Sequence, residues 1–326
     1  MITWFIFKMT PAQVNSYISR STMKLSLPAR KPFSFTSVVN SHGWRQLAPF
    51  SYDETSKALS YIFRLPSGRV TELRMSDGRD GVMVVTDRLN KKEQKEVTES
   101  VTWMFGLDMD FSAFHAASRA EPKLAHVKKQ ALGRVLRSPT LFEDVIKTIL
   151  TTNTLWGATI NMTRRLVEEF GQPAGRVVAP AASRIETSIA PTKSFPTPEA
   201  ISASNPETIR EKIRVGYRAP AIYELAVRVA SGKFDLEALK HSSLPTLELR
   251  KELMTINGVG PYAAANLLMI LGRHDFIPID SYALKMVSHE WYKDRPITAR
   301  EVEKRFEKWG AYKGLAFWFW NWKYNQ

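Results

Sequence analysis

The chain has no cysteine. Disulfides, thiol catalysis and a cysteine-ligated iron–sulfur cluster are therefore excluded. Histidine is sparse: 6 residues lie scattered without metal-ligand spacing, which argues against a zinc site. No apolar run reaches membrane-spanning length, so no membrane partner is expected. Trp4-Phe5-Ile6-Phe7 is too short for a signal-peptide core and runs into Lys8 and polar residues. The expected location is the cytoplasm (nucleoid-associated) in a bacterium, or the nucleus in a eukaryote. Acidic residues are also in deficit, with 32 against 46 basic ones and a net charge of +14. That surplus favours a polyanionic partner. It is uneven: the first 110 residues carry 15 basic and 11 acidic side chains, the remainder 31 and 21.

The 326 residues suffice for two or three domains with proper cores. Residues 1–30 read as a loosely ordered leader. Residues 31–110 read as an N-terminal antiparallel β domain. The β-rich runs Leu59-Ser60-Tyr61-Ile62-Phe63-Arg64-Leu65 and Val82-Met83-Val84-Val85-Thr86 are punctuated there by Pro66-Ser67-Gly68 and Ser76-Asp77-Gly78. From Lys91 the apolar spacing becomes helical, over 93–105, 141–170, 206–213, 219–230, 247–256, 262–271 and 300–309. Residues 111–326 are expected to form an all-helical body. The stretch 172–198 is rich in Pro, Ala, Ser and Thr without apolar period, and reads as a long, mobile surface loop.

The densest chemistry lies in Leu253 to Leu271 and the following Ile277-Pro278-Ile279-Asp280-Ser281. Two apolar helices flank Gly258-Val259-Gly260. The glycines free the backbone to turn tightly and to approach a partner closely. The spacing predicts that the amides of Val259, Gly260 and the next helix's first turn lack helical partners and, with the helix dipole, form an anion site for a phosphodiester. Pro261 suits the first helical position. Asp280 before Ser281-Tyr282 is a good N-cap, a role that would also hold its carboxylate rigidly.

This hairpin, followed by a Pro-x-Asp, resembles the helix-hairpin-helix (HhH-GPD) DNA glycosylase superfamily. The order of a β-rich region followed by an α body resembles its AlkA-like and 8-oxoguanine-glycosylase-like branches, over roughly residues 33–322 and weakly before about Ser138. Further similar segments are Leu141 to Asn153, Gly216-Tyr217-Arg218-Ala219 and Trp309 to Ala316. The implied fold is mainly α with a small N-terminal antiparallel sheet (α+β), with the helix-hairpin-helix at 247–271. The implied partner is double-stranded DNA containing a damaged base, bound by a monomer. The endonuclease III and adenine-glycosylase branches commonly carry an iron–sulfur cluster. The missing cysteines rule one out here, and no cofactor is expected. Related hairpins hold a monovalent cation on their carbonyls; the sequence does not show one.

The resemblance places Asp280 as the carboxylate that stabilises an oxocarbenium-like transition state and orients water. Lyase members carry a lysine two residues after the second hairpin glycine, whose amine forms a Schiff base. Tyr262 stands there instead, and Lys285 lies outside the motif position. The expectation is a monofunctional glycosylase acting on an alkylated purine. The alternatives are a non-catalytic DNA-binding protein and a bifunctional glycosylase/AP lyase of the 8-oxoguanine type. A base lifted from the duplex needs stacking partners. The candidates are Tyr262, Trp44, Trp156 and the run Phe317-Trp318-Phe319-Trp320, each of which also suits a hydrophobic core. Asn321 lies near where relatives place a pocket aromatic. Asn153, after an apolar helix, resembles the residue that faces the orphaned partner base, and it equally suits a turn. Arg218 is a candidate DNA contact or a structural partner for helix ends.

Overall fold

The computed structural model describes residues 22–175 and 191–322, and the remainder of the leader and of the 172–198 stretch lie outside them. Five strands form one antiparallel sheet: β1 (Thr22–Pro28), β2 (Phe50–Asp53), β3 (Ala58–Arg64), β4 (Val70–Asp77) and β5 (Gly81–Asp87), in the order β1-β5-β4-β3-β2. Tight turns explain the local pairing. Asp53 Oδ1 accepts from the amides of Thr55 (2.9 Å) and Ser56 (3.2 Å) between β2 and β3. Strand β1 corrects the leader assignment. Met23, Leu25 and Leu27 alternate at period two, and Leu25 and Leu27 pair with Val84 and Val82. Three apolar residues among Ser, Thr and Pro gave too weak a signal.

The principal helices are α1 (Lys91–Phe105), α2 (Leu141–Thr151), α3 (Trp156–Phe170), α4 (Ala219–Ala230), α5 (Thr246–Met254), α6 (Pro261–Ile270), α7 (Ser281–Tyr292), α8 (Ala299–Phe306) and α9 (Lys313–Trp318). The expectation of a mainly helical chain with a small N-terminal antiparallel sheet is borne out. Helix α1 starts in a reciprocal cap between Asn90 and Glu93 and stops at Gly106, with φ +56°. Helix α2 is the central rod. Its apolar residues Leu141, Phe142, Val145, Ile146, Ile149 and Leu150 are all buried, and each contributes about 2 kcal/mol of transfer free energy.

The helical run read over 141–170 is broken. Thr152 leaves the helix, Asn153 adopts φ +45°, and α3 restarts at Trp156. The flanks of the 172–198 stretch are tied together: Ala174 N–H donates to Thr192 O and Ser194 N–H to Gln172 O, both at 2.9 Å. Phe195 is buried beyond them, and Pro198–Ser202 is already a short helix.

Residues 111–326 divide into two packing groups. The sheet shares one core with α1 to α6. Phe111, Phe114, Leu124 and Val127 instead join α7, α8 and α9 in a second core, which meets the first at Met269 of α6. The segment Ile277–Asp280 runs between the two groups, which places a loop carboxylate at their seam.

Candidate functional site

The bend between α5 and α6 is shaped by Gly258, whose φ of +85° lies where L side chains are strained. Val259 is buried, and its amide donates to Ile256 O at 3.0 Å. That amide is spent inside the turn, contrary to the expectation that it would be offered outward. The amides of Gly260, Tyr262 and Ala263 make no hydrogen bond among the described residues. Gly260 borders open space, and Pro261 opens α6 without a side-chain cap. These three amides and the dipole of α6 remain as the anion site.

Asp280 caps α7: its Oδ1 accepts from Ala283 N–H at 2.9 Å. The cap fixes the carboxylate while leaving it exposed, and Oδ2 accepts no hydrogen bond among the described residues. Three cavities converge on it. One, of about 300 Å³, runs inward beneath His42, Trp44, Trp156 and Trp318. A second, of about 340 Å³, reaches Phe317, Trp318 and Trp320. The third, of about 680 Å³, is a groove between Gly260 at the bend and the turn Thr151 to Leu155. Tyr262 and Asp280 line all three. No lysine or arginine lines any of them among the described residues, and Asp280 is the sole carboxylate. Burial, then the charge of Asp280, raises the Tyr262 phenol above its usual value.

The inner cavity is walled by aromatic rings. Trp44 is buried, and its Nε1–H donates to Asp144 Oδ1 at 2.7 Å. The Trp156 indole crosses Gly43 so closely that a Cβ there would fall 2.1 Å from Cζ2. Trp318 Nε1–H donates to Ser41 O at 3.0 Å. His42 meets Trp44 edge-on, with ring centroids 4.6 Å apart. Burial lowers the His42 pKa to about 4, so the ring is neutral at pH 7. Both its nitrogens are engaged: Nε2 lies 2.7 Å from Leu136 O, and Nδ1 accepts from Trp44 N–H at 3.1 Å. It therefore packs as a ring and leaves no free polar atom for a ligand.

Several sequence candidates fall elsewhere. Asn321 is exposed and lines none of these cavities; its backbone amide donates to Lys123 O at 3.1 Å, which draws the chain toward the second core. Trp320 borders only the second cavity, held by Glu290 Oε2 at 3.3 Å and packed against Trp291. Phe319 is buried in the second core. Arg218 is buried: its guanidinium donates to the carbonyls of Val215, Thr152 and Asn153, so it holds the turn after α2 and does not reach outward. Asn153 is exposed on the groove. Sequence reasoning missed His42, Asn266 and Leu155. Leu155 is 84% exposed beside the groove, a signal visible in sequence only as a leucine ahead of the restarting helix.

A family profile described as "HhH-GPD superfamily base excision DNA repair protein" matches residues 146–311. The chain is 24% identical over 232 residues to a DNA-3-methyladenine glycosylase of Bacillus subtilis (strain 168), covering 69% of this chain and 72% of that protein. It is 24% identical over 156 residues to the N-glycosylase/DNA lyase of Saccharomyces cerevisiae, covering 38% and 41%. Among solved structures it superposes on a 3-methyladenine DNA glycosylase from Archaeoglobus fulgidus with TM-score 0.68 and 19% identity, covering 91% and 97% of the two chains. An 8-oxoguanine glycosylase/lyase from Clostridium acetobutylicum gives TM-score 0.66 and 18% identity, covering 92% and 95%.

Proposed function

The chain belongs to the HhH-GPD superfamily of base excision DNA repair proteins, and from that we propose that it is a monofunctional DNA glycosylase. A damaged base, an alkylated purine in the first instance, leaves the duplex and enters the aromatic inner cavity. Asp280 then assists hydrolysis of its N-glycosidic bond. The observation that carries this reading is the position of Asp280: one fixed carboxylate lines the base-sized cavity and also the groove that borders the hairpin.

The groove suits the strand. The amides of Gly260, Tyr262 and Ala263 would take a phosphate oxygen, and the anchored sugar would then lie beside Asp280. As the glycosidic bond lengthens, positive charge develops on the sugar, and the carboxylate stabilises it without reorganising. The same group can accept a proton from the attacking water. Tyr262 has no amine, so it cannot replace the base as an imine. No lysine lines the three cavities among the described residues, which supports water as the nucleophile. The walls of Trp44, Trp156, Trp318 and neutral His42 favour a flat ring, with added attraction for a positively charged alkylated one. Backbone carbonyls in the bend are hard oxygen ligands of the type that suits a monovalent cation. Such an ion would add positive charge toward the phosphate, and no step runs through it.

The test is release of base from duplexes carrying 3-methyladenine, 7-methylguanine, hypoxanthine, uracil or 8-oxoguanine, with the opposite base varied. Release of alkylated purines, with strand breaks only after alkali, is expected. Binding without release from any duplex would leave a DNA-binding module.

A further inference from the structure

Helix α2 carries a charged cluster that the reaction above does not use. Glu143, Asp144 and Lys147 lie in the middle of the helix and are 1%, 0% and 0% exposed. Lys147 Nζ bonds Glu143 Oε1 at 2.6 Å, lies 3.4 Å from Ser138 Oγ and sits 4.6 Å over the Phe50 ring. The cluster has two ends. At the sheet, Tyr61 O–H of β3 donates to Glu143 Oε2. At the base cavity, Trp44 Nε1–H donates to Asp144 Oδ1, while the Ser138 amide holds the same carboxylate at 3.0 and 3.2 Å. One turn after Asp144, Thr148 lines the cavity itself.

Buried ions are costly, and apolar replacements of similar volume are often neutral or stabilising. The rest of α2 shows that apolar packing was available at this depth. What the ions add is direction: a charge-assisted hydrogen bond fixes an indole in one orientation, which packing alone does less sharply. Trp44 needs that, because it comes from a single short turn, Gly43–Gln46, with no long helix behind it.

We propose that Asp144 is a positioning residue for the flipped base, fixing Trp44 as the inner wall of the cavity, and that the Glu143–Lys147 pair braces this carboxylate against the sheet. The proposal rests on the glycosylase reading for its effect on rate, but not for its effect on Trp44.

The test is single-turnover release from a 7-methylguanine duplex by the parent, Asp144→Ala, Asp144→Asn, Trp44→Phe and the double variant Asp144→Ala/Trp44→Phe. Undamaged-duplex binding serves as the check on folding. Asp144→Ala is expected to slow release by about tenfold to a hundredfold, as misplaced catalytic geometry does, with binding unchanged within about twofold. Asp144→Asn, which can still accept both bonds, restores release to within about threefold. Trp44→Phe keeps a ring but loses the N–H. It should be as slow as Asp144→Ala, and the double variant no slower than either. Trp44 emission, taken as the difference between a protein and its Trp44→Phe counterpart, is expected to be shielded from acrylamide in the parent and quenchable in Asp144→Ala. Release by Trp44→Phe at the parental rate overturns the proposal even if Asp144→Ala fails to fold. Additive losses in the double variant, or unchanged shielding of Trp44, overturn it as well. If the parent releases no base from any lesion, the glycosylase reading fails on its own, and the quenching measurement still decides the role of Asp144.

Discussion

Tyr262 and Asp280 line the same three cavities, and the charge of Asp280 adds to burial in raising the Tyr262 phenol. The pairing brings the stacking surface and the carboxylate together at one opening. A base entering past Tyr262 draws its own sugar toward Asp280. Asp280→Asn removes the charge and keeps the cap, because asparagine is as good an N-cap as aspartate. Base release should fall by at least about a hundredfold, while thermal stability and duplex binding stay near the parental values. Asp280→Ala should lose release equally and also about 1 kcal/mol of stability with the cap. Near-parental turnover by Asp280→Asn would remove the catalytic assignment.

The absence of an amine at position 262 makes a second outcome specific. Treating the reacting complex with borohydride should trap no covalent protein–DNA adduct, and abasic product should stay intact until alkali is added. Introducing an amine by Tyr262→Lys places it beside Asp280 and should yield some trapped adduct. A trapped adduct with the parent would mean that another amine attacks the sugar.

Leu155 projects beside the groove at 84% exposure, next to Asn153 and opposite the bend. An apolar side chain left in water at the edge of a DNA groove is suited to fill the gap when a base leaves the stack. Leu155→Ala should slow release by about tenfold, chiefly by disfavouring the flipped state. Its stability should change by less than about 0.5 kcal/mol, as for other surface positions. A fluorescent base analogue opposite the lesion would report the flipping step directly. Parental rates in both assays would return the gap-filling role to Asn153.

The bend and its carboxylate were legible because they are local. A glycine pair, a proline and a downstream aspartate declare backbone geometry and charge within one short stretch. The helices read well for the same reason, since α2 and α6 carry their apolar residues in sequence. The rest of the site is assembled from afar. His42 and Trp44 arrive from a short turn ahead of β2, held by Leu136 and Asp144, and no period in the sequence links residues so distant. Asn321 misled because its neighbours are aromatic; the backbone bond to Lys123 that takes it away cannot be read from composition. Arg218 looked like a phosphate contact because it is basic, yet three carbonyls claim it.

Two buried groups beside the cavity give opposite acid responses. Burial lowers His42 from 6.5 to about 4, against a raising hydrogen bond to Leu136 and with a further lowering from Lys147. The unfolded chain therefore takes up this proton first. The His42 contribution is fully present above pH 6.5 and is lost as pH falls toward about 4, worth about 3 kcal/mol. Burial raises Asp144 from 3.8 to about 6, opposed by its bonds to Ser138 and Trp44 and by Lys147. The folded protein takes up that proton first, so stability is gained as pH falls from about 6 toward 3.8, again worth about 3 kcal/mol. The two largely cancel in the parent. Urea unfolding between pH 4.5 and 6.5 (a window set by these values) should show steeper acid loss for Asp144→Asn than for the parent. It should show shallower or reversed loss for His42→Gln. Identical slopes in all three would mean that neither group titrates in this way.

The two glycines of the bend separate folding from binding. Gly258 holds φ +85°, and a Cβ there would lie 3.2 Å from the Cβ of Ala221. Gly258→Ala should cost about 1 kcal/mol or more from the left-handed backbone alone, seen as a lower urea midpoint. Gly260 holds φ −87°, which any residue adopts, and a Cβ there would meet nothing within 4 Å. Gly260→Ala should therefore leave stability near the parental value. Its methyl group would stand in the open space where a phosphate approaches the amides of Gly260, Tyr262 and Ala263. Duplex affinity should fall for this variant, and the slope of log affinity against log salt should become shallower, because a phosphate contact and its released counterions are lost. If Gly260→Ala binds duplex with parental affinity and slope, the strand does not seat on this bend, and the sugar cannot be delivered to Asp280 from it.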